Sequence, residues 1–139
     1  MQIYGVGHLA CLFRDYNIKY FGGVLPTPYF RIMHEVDLLG YFTYSPYSVP
    51  GTTEVIDISD FYDYDIDQLR DIMVHEMIHY YLTYTGVEVY PSHGPAFLNM
   101  AQRLNLAYGM NITPIIDLTK MTPRSDAPFL KRLYYWWIT

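Results

Sequence analysis

His75-Glu76-Met77-Ile78-His79 sets two imidazoles four residues apart, with a carboxylate directly after the first. On an α-helix four residues is slightly more than one turn, so both rings project from one face and can share a metal ion. Glu76 stands about 100° further round the helix. From there it can reach a water on that ion without ligating the ion itself. Zinc is the ion this pattern suits. It would lower the pKa of a bound water toward about 7, and Glu76 would take the water's proton during attack on a carbonyl. Hydrolysis needs an open position on the metal, so three protein ligands are expected.

Downstream of this motif the chain offers one histidine, His93, and one glutamate, Glu88. Glu88 comes close behind the helix end. The longer pattern HExxHxxGxxH would need Gly at position 82 and His at 85, where the sequence has Leu82 and Thr85. His93 follows a turn at Gly86 and begins a new helix, which gives it room to return to the metal. The expected ligands are therefore His75, His79 and His93, with Glu76 as the catalytic base. His8 and His34 read as structural. Tyr90 is a candidate donor to the transition-state oxyanion. Asp71, four residues before His75, either orients that ligand or is a plain carboxylate near a helix start.

These side chains need a scaffold. Apolar residues recur at helical spacing from Gly7 to Tyr20, and Gly22-Gly23 ends that helix. Tyr29 to Val36, Gly40 to Tyr44 and Glu54 to Ile58 read as three short strands of one small sheet. The motif helix is expected from Ile66 to Tyr84. Asp65 caps it, Gln68 completes a capping box, and Gly86 is its C′ residue. Ile66, Leu69, Met73, Met77 and Tyr80 line one face, and Ile72, His75, His79 and Leu82 another, which predicts a buried helix. A further helix is expected from about Ser92, its cap, to Leu106, with Pro95 in its first turn. Phe129 to Trp137 reads as a short helix or a strand.

Composition narrows the class. With 51% apolar and 18% aromatic residues in 139, the chain can fold as one domain with a real core. Sixteen tyrosines suggest large half-buried residues with a wet end. Cys11 stands alone, so neither an intramolecular disulfide nor a cysteine zinc site is possible. Met1 to Gly5 makes a poor signal peptide, and no apolar run is long enough to span a membrane. The expected setting is cytoplasmic, without a membrane partner. A net charge of −5 argues against a general nucleic-acid binder. Asp57, Asp60, Asp63, Asp65, Asp67 and Asp71 cluster ahead of the motif, and Lys120, Arg124, Lys131 and Arg132 follow Asp117. Both clusters read as solvated faces.

Three segments together resemble a known family. They are Tyr16-Asn17-x-x-Tyr20-Phe21-Gly22-Gly23-Val24-Leu25-Pro26, the His75 to His79 motif, and His93-Gly94-Pro95-Ala96-Phe97. In this order, over about residues 7 to 107, they are similar to the SprT-like (Spartan-type) metallopeptidase domain. Leu39-Gly40-Tyr41 and Ile56-Asp57-Ile58-Ser59 resemble its strand segments more loosely. The resemblance implies an α+β, zincin-like domain: a three-stranded sheet packed with an N-terminal helix, the HExxH helix and a following helix. Residues 1–110 would form that domain, and residues 111–139 a C-terminal extension packing on it. The resemblance also implies Zn2+ on His75, His79 and His93, Glu76 as acid/base, and a protein or peptide substrate. Many relatives carry a C-terminal zinc ribbon with paired cysteines, and the eukaryotic relative cleaves proteins crosslinked to DNA. Cys11 alone cannot build a ribbon and the acidic balance lacks a basic footprint, so DNA is not expected as a partner. Two other readings stand beside the peptidase. One is an inactive binding protein using Tyr134-Tyr135-Trp136-Trp137, and the other is a DNA-associated protease using the basic tail.

Overall fold

The computed structural model describes residue 3 and residues 5–139. The signal-peptide reading of the N-terminus thus falls largely on residues outside this set. The chain folds as α1 (Val6–Tyr20), β1 (Tyr29–Met33), β2 (Gly40–Thr43), β3 (Val55–Ser59), α2 (Ile66–Tyr84), α3 (Pro95–Tyr108), a 3-10 turn (Leu118–Lys120) and α4 (Phe129–Ile138). This is the expected α+β arrangement with one three-stranded sheet.

The sheet order is β1-β3-β2. β3 lies between a parallel partner, β1, and an antiparallel one, β2. Central position explains burial: Ile56, Asp57, Ile58 and Ser59 are all buried. β1 stops at Met33, short of the expected Val36. There side chains replace the ladder. His34 Nδ1 meets Asp60 Oδ1 at 2.7 Å, and the Tyr62 hydroxyl donates to the Val36 carbonyl. β3 starts one residue late because Glu54 turns its carboxylate back onto the Gly51 and Thr53 N–H groups, at 2.9 and 3.0 Å.

α1 packs on β1, and α2 packs on β2, β3, α1 and α3. Asn17 explains the first family segment physically. Its buried amide donates to the Leu25 carbonyl and accepts from the Leu25 N–H, fixing the chain after α1. The Tyr80 hydroxyl then donates to the Pro26 carbonyl at 2.7 Å, tying that turn to the motif helix.

The acidic cluster is not one solvated face. Asp57 is buried and accepts from Arg31 Nε and Nη2 at 2.9 and 3.0 Å, while Asp71 is held by Arg70. The tyrosines also depart from the expected half-burial. Tyr62, Tyr64 and Tyr80 are fully buried, each with its hydroxyl on a main-chain carbonyl. Such a carbonyl satisfies a phenol as well as water does.

The C-terminal segment forms a helix, the first of the two expected alternatives. Its Tyr135 is buried against Phe61 and Tyr62 and donates to the Met121 carbonyl at 2.7 Å. Trp136 and Trp137 point outward and do not cover the core. No described helix is long and apolar enough to cross a membrane.

Candidate metal centre

α2 begins with the expected capping box. Gln68 N donates to Asp65 Oδ1 at 2.7 Å, and Asp65 N donates to Gln68 Oε1 at 3.0 Å. Satisfying two orphan donors at once fixes where the helix starts, and hence which residues share a face. It ends before Gly86, whose φ of +77° is a left-handed conformation that suits glycine. Between these ends every residue from Ile72 to Tyr80 is buried. Ile66, expected on a buried face, is exposed because it sits in the first turn, beyond the sheet's cover.

His75 and His79 project from the middle of α2, as their spacing demands. His93 arrives from the following loop. Its Nε2 lies 3.2 Å from the Nε2 atoms of both His75 and His79. One ligand atom from each ring falls within 4.8 Å of the others, and together they can hold a metal ion. Among the described residues this grouping includes neither Glu88, His8 nor His34.

The start of α3 differs from the expectation. The cap is Gly94 and the first helical residue Pro95, so His93 precedes the helix. Ser92 caps nothing. Its hydroxyl donates to Glu88 Oε2 at 2.6 Å and accepts from the Gly94 N–H at 3.3 Å, bracing the loop on both sides of His93. The Tyr44 hydroxyl anchors the same loop at the Val89 carbonyl. Glu88 thus helps to shape the loop that carries His93.

Two contributors went unnoticed in the sequence. Phe97 is fully buried, with its ring centroid 4.7 Å from His75 and 4.9 Å from both His79 and His93. It is a floor common to all three imidazoles. The available signal was its place in the segment His93 to Phe97. The second contributor is the Thr113 main chain, which lines one cavity together with His75 and acts to raise its pKa. Nothing near His75 in sequence announces it.

Asp71 does not reach His75. Its carboxylate takes Arg70 at Oδ1 and the Asn111 N–H at Oδ2, 3.1 Å away. Asn105 holds the next residue from both sides, donating to the Ile112 carbonyl at 3.0 Å and accepting from its N–H at 2.8 Å. Asp71 therefore ties α2 to the segment that carries Thr113.

Burial governs the electrostatics. His75 is pushed down to about 3, by burial first and then by His79 and His93, with the Thr113 carbonyl opposing. His79 is lowered to about 4, by burial and then His93. Both rings stay neutral at physiological pH and keep a lone pair for a cation. Glu76 is buried, with Oε1 3.9 Å from His75 Nε2 and Oε2 without any partner. Burial, with Asp57 second, raises its carboxyl to about 8. A dication beside it would act in the opposite direction.

A 700 Å³ cleft opens over these residues. His75, Glu76, His79 and His93 lie in it. Leu39 to Tyr44 form one wall and Ile115 and Ile116 another, and Tyr90 stands at its edge. The wall from Gly40 to Thr43 is an edge strand, since β2 has β3 as its only neighbour in the described sheet.

No curated protein matches the chain. The sequence pattern of the SprT-like family matches residues 9–115, from α1 through the loop that carries His93 to the segment behind His75, and the chain belongs to that family.

Proposed function

We propose that the chain is a zinc-dependent metallopeptidase of zincin-like fold that hydrolyses peptide bonds in protein substrates. The observation that carries this reading is three converging imidazole nitrogens beside a buried carboxyl group whose Oε2 has no partner. Tetrahedral zinc with Zn–N near 2.0–2.1 Å sets its ligand nitrogens roughly 3.3 Å apart. The 3.2 Å separations from His93 fit that ion.

Zinc, when bound, polarises a carbonyl and acidifies water. His75, His79 and His93 would hold it. Glu76 would take a proton from water at Oε2, the oxygen no protein group occupies, and hand it to the departing amine. The open edge of β2 favours an extended peptide as substrate, because a strand laid there satisfies its own backbone groups while crossing the cleft.

The outward aromatic face of α4 favours a second reading, a binding protein on a peptidase fold. The buried Glu76 weighs against it. A buried carboxyl group with one oxygen left unpaired costs stability and has no use in a scaffold. Glu76→Gln separates the two. The peptidase reading expects one zinc per chain to be retained and casein hydrolysis to fall at least about 10²-fold. Unchanged hydrolysis, or none in the zinc-loaded wild type, would end it.

A further inference from the structure

α4 turns an apolar face to solvent. Leu130, Leu133, Tyr134 and Trp137 recur at i, i+3, i+4 and i+7, so they form one seam, with Phe129 and Trp136 along its side. These six residues are 45% to 86% exposed. The opposite side of the helix is occupied. Tyr135 is buried against Phe61 and Tyr62, and Lys131 donates to the His34 carbonyl at 2.7 Å. Taking about 150–250 Å² for each aromatic side chain, the exposed face amounts to roughly 700 Å². Monomers ordinarily leave at most about 300–600 Å² in one apolar patch. A stable dimer covers about 800 Å² on each partner.

We infer that α4 is a dimerisation helix, which pairs antiparallel with α4 of a second copy across a two-fold axis. A two-fold interface must be complementary to itself. With the axis between residues 133 and 134, Leu133 of one copy meets Tyr134 of the other, and Leu130 meets Trp137. Each leucine of the seam then packs on an aromatic ring. A parallel pair would instead set Lys131 and Arg132 level with their own copies and align both helix dipoles. Charge disfavours the other occupants. Glu35 and Asp37 line the cavity beside Leu130 and Tyr134, and the chain carries a net −5, so an anionic membrane or a nucleic acid would be repelled. No residue of α4 lines the cleft over the three histidines, so pairing leaves both candidate metal centres open.

Sedimentation velocity on the full chain tests this. At micromolar concentration the mass should be twice the 16.4 kDa of one chain. A monomer, or a mass that keeps growing past two chains, would overturn the inference. Leu133→Glu and Tyr134→Lys alter exposed positions, so both variants should keep the wild-type circular dichroism spectrum. Each alone buries an unpaired charge in the seam and should weaken pairing at least about 100-fold. Mixed in equal amounts, the two variants set opposite charges against each other at one of the two central contacts, and dimers should return. Dimers untouched by either substitution, or a mixture that stays monomeric, would overturn the antiparallel pairing. Flotation of a monomeric chain with phosphatidylcholine vesicles would overturn it as well and assign the face to a membrane.

Discussion

Gly40 lies against the proposed base, and Gly40→Ala tests whether Glu76 depends on that closeness. A Cβ placed on Gly40 would stand 3.1 Å from Glu76 Cγ, 3.3 Å from Glu76 Cδ and 3.2 Å from Ile72 Cγ2. Carbon atoms at rest sit roughly 3.5–4.0 Å apart. The new methyl is therefore about half an ångström too close to Glu76 on one side and to Ile72 on the other. Both neighbours belong to a buried helix turn, so the exposed-surface remedy of swinging away is closed. Glu76 must shift by a few tenths of an ångström. A misplacement of about 1 Å can cost 10²-fold in rate, so a shift of this size should lower kcat/KM about 5- to 20-fold. Overpacking should also cost about 1–3 kcal/mol of stability. Zinc content should stay at one per chain, because no ligand is touched. Gly7→Ala is the control. A Cβ there meets nothing within 4 Å, and the helix around it should gain up to about 1 kcal/mol. Peptide hydrolysis, metal analysis and thermal melts on the same samples would decide. Full activity in Gly40→Ala would refute the reasoning, and so would loss of zinc.

Asn105→Ala removes both hydrogen bonds that hold Ile112. Zinc affinity read by chelator competition should drop about 10- to 100-fold as the wall beside His75 loosens, and unchanged affinity would show that the segment positions nothing. Burial raises the phenol pKa values of Tyr62, Tyr64 and Tyr80 above their usual 10. The fold thus favours their protonated form, so this contribution is complete below about pH 10 and is lost as pH climbs beyond it. In an absorbance titration at 295 nm these three should ionise only together with unfolding by circular dichroism; reversible ionisation near pH 10 in folded protein would contradict their burial. DNA should not bind at micromolar concentration in 150 mM salt, given the net charge of −5. Saturable anisotropy with a steep salt slope would revive a DNA-linked role.

The elements with strong local signals were legible in the sequence. α2 was bounded correctly at both ends, because its capping box and Gly86 are local chemistry. The three strands were found but their ends slipped, since β1 ends where Tyr62 and Asp60, from far along the chain, take over the hydrogen bonding. Ser92 looked like a cap by residue type, yet its hydroxyl is held by Glu88, a choice only the loop's path decides. The grouping of His75, His79 and His93 was readable because two positions share a helix face and one histidine remained downstream. Their supports were not readable. Phe97 stood in the third family segment with nothing in its residue type to mark it as a floor for the histidines, and the main chain of Thr113 has no residue type to betray it.

The cavity wall that His75 shares with Thr113 also sets an order of events. The helix carrying both motif histidines is complete at Tyr84, yet Thr113, which walls the first of them, comes 29 residues after that helix ends. On a ribosome adding about 5–20 residues per second, seconds separate the emergence of the two. The nascent chain therefore carries its paired histidines before the wall beside them exists. That wall is finished late, when the chain beyond α3 has folded back.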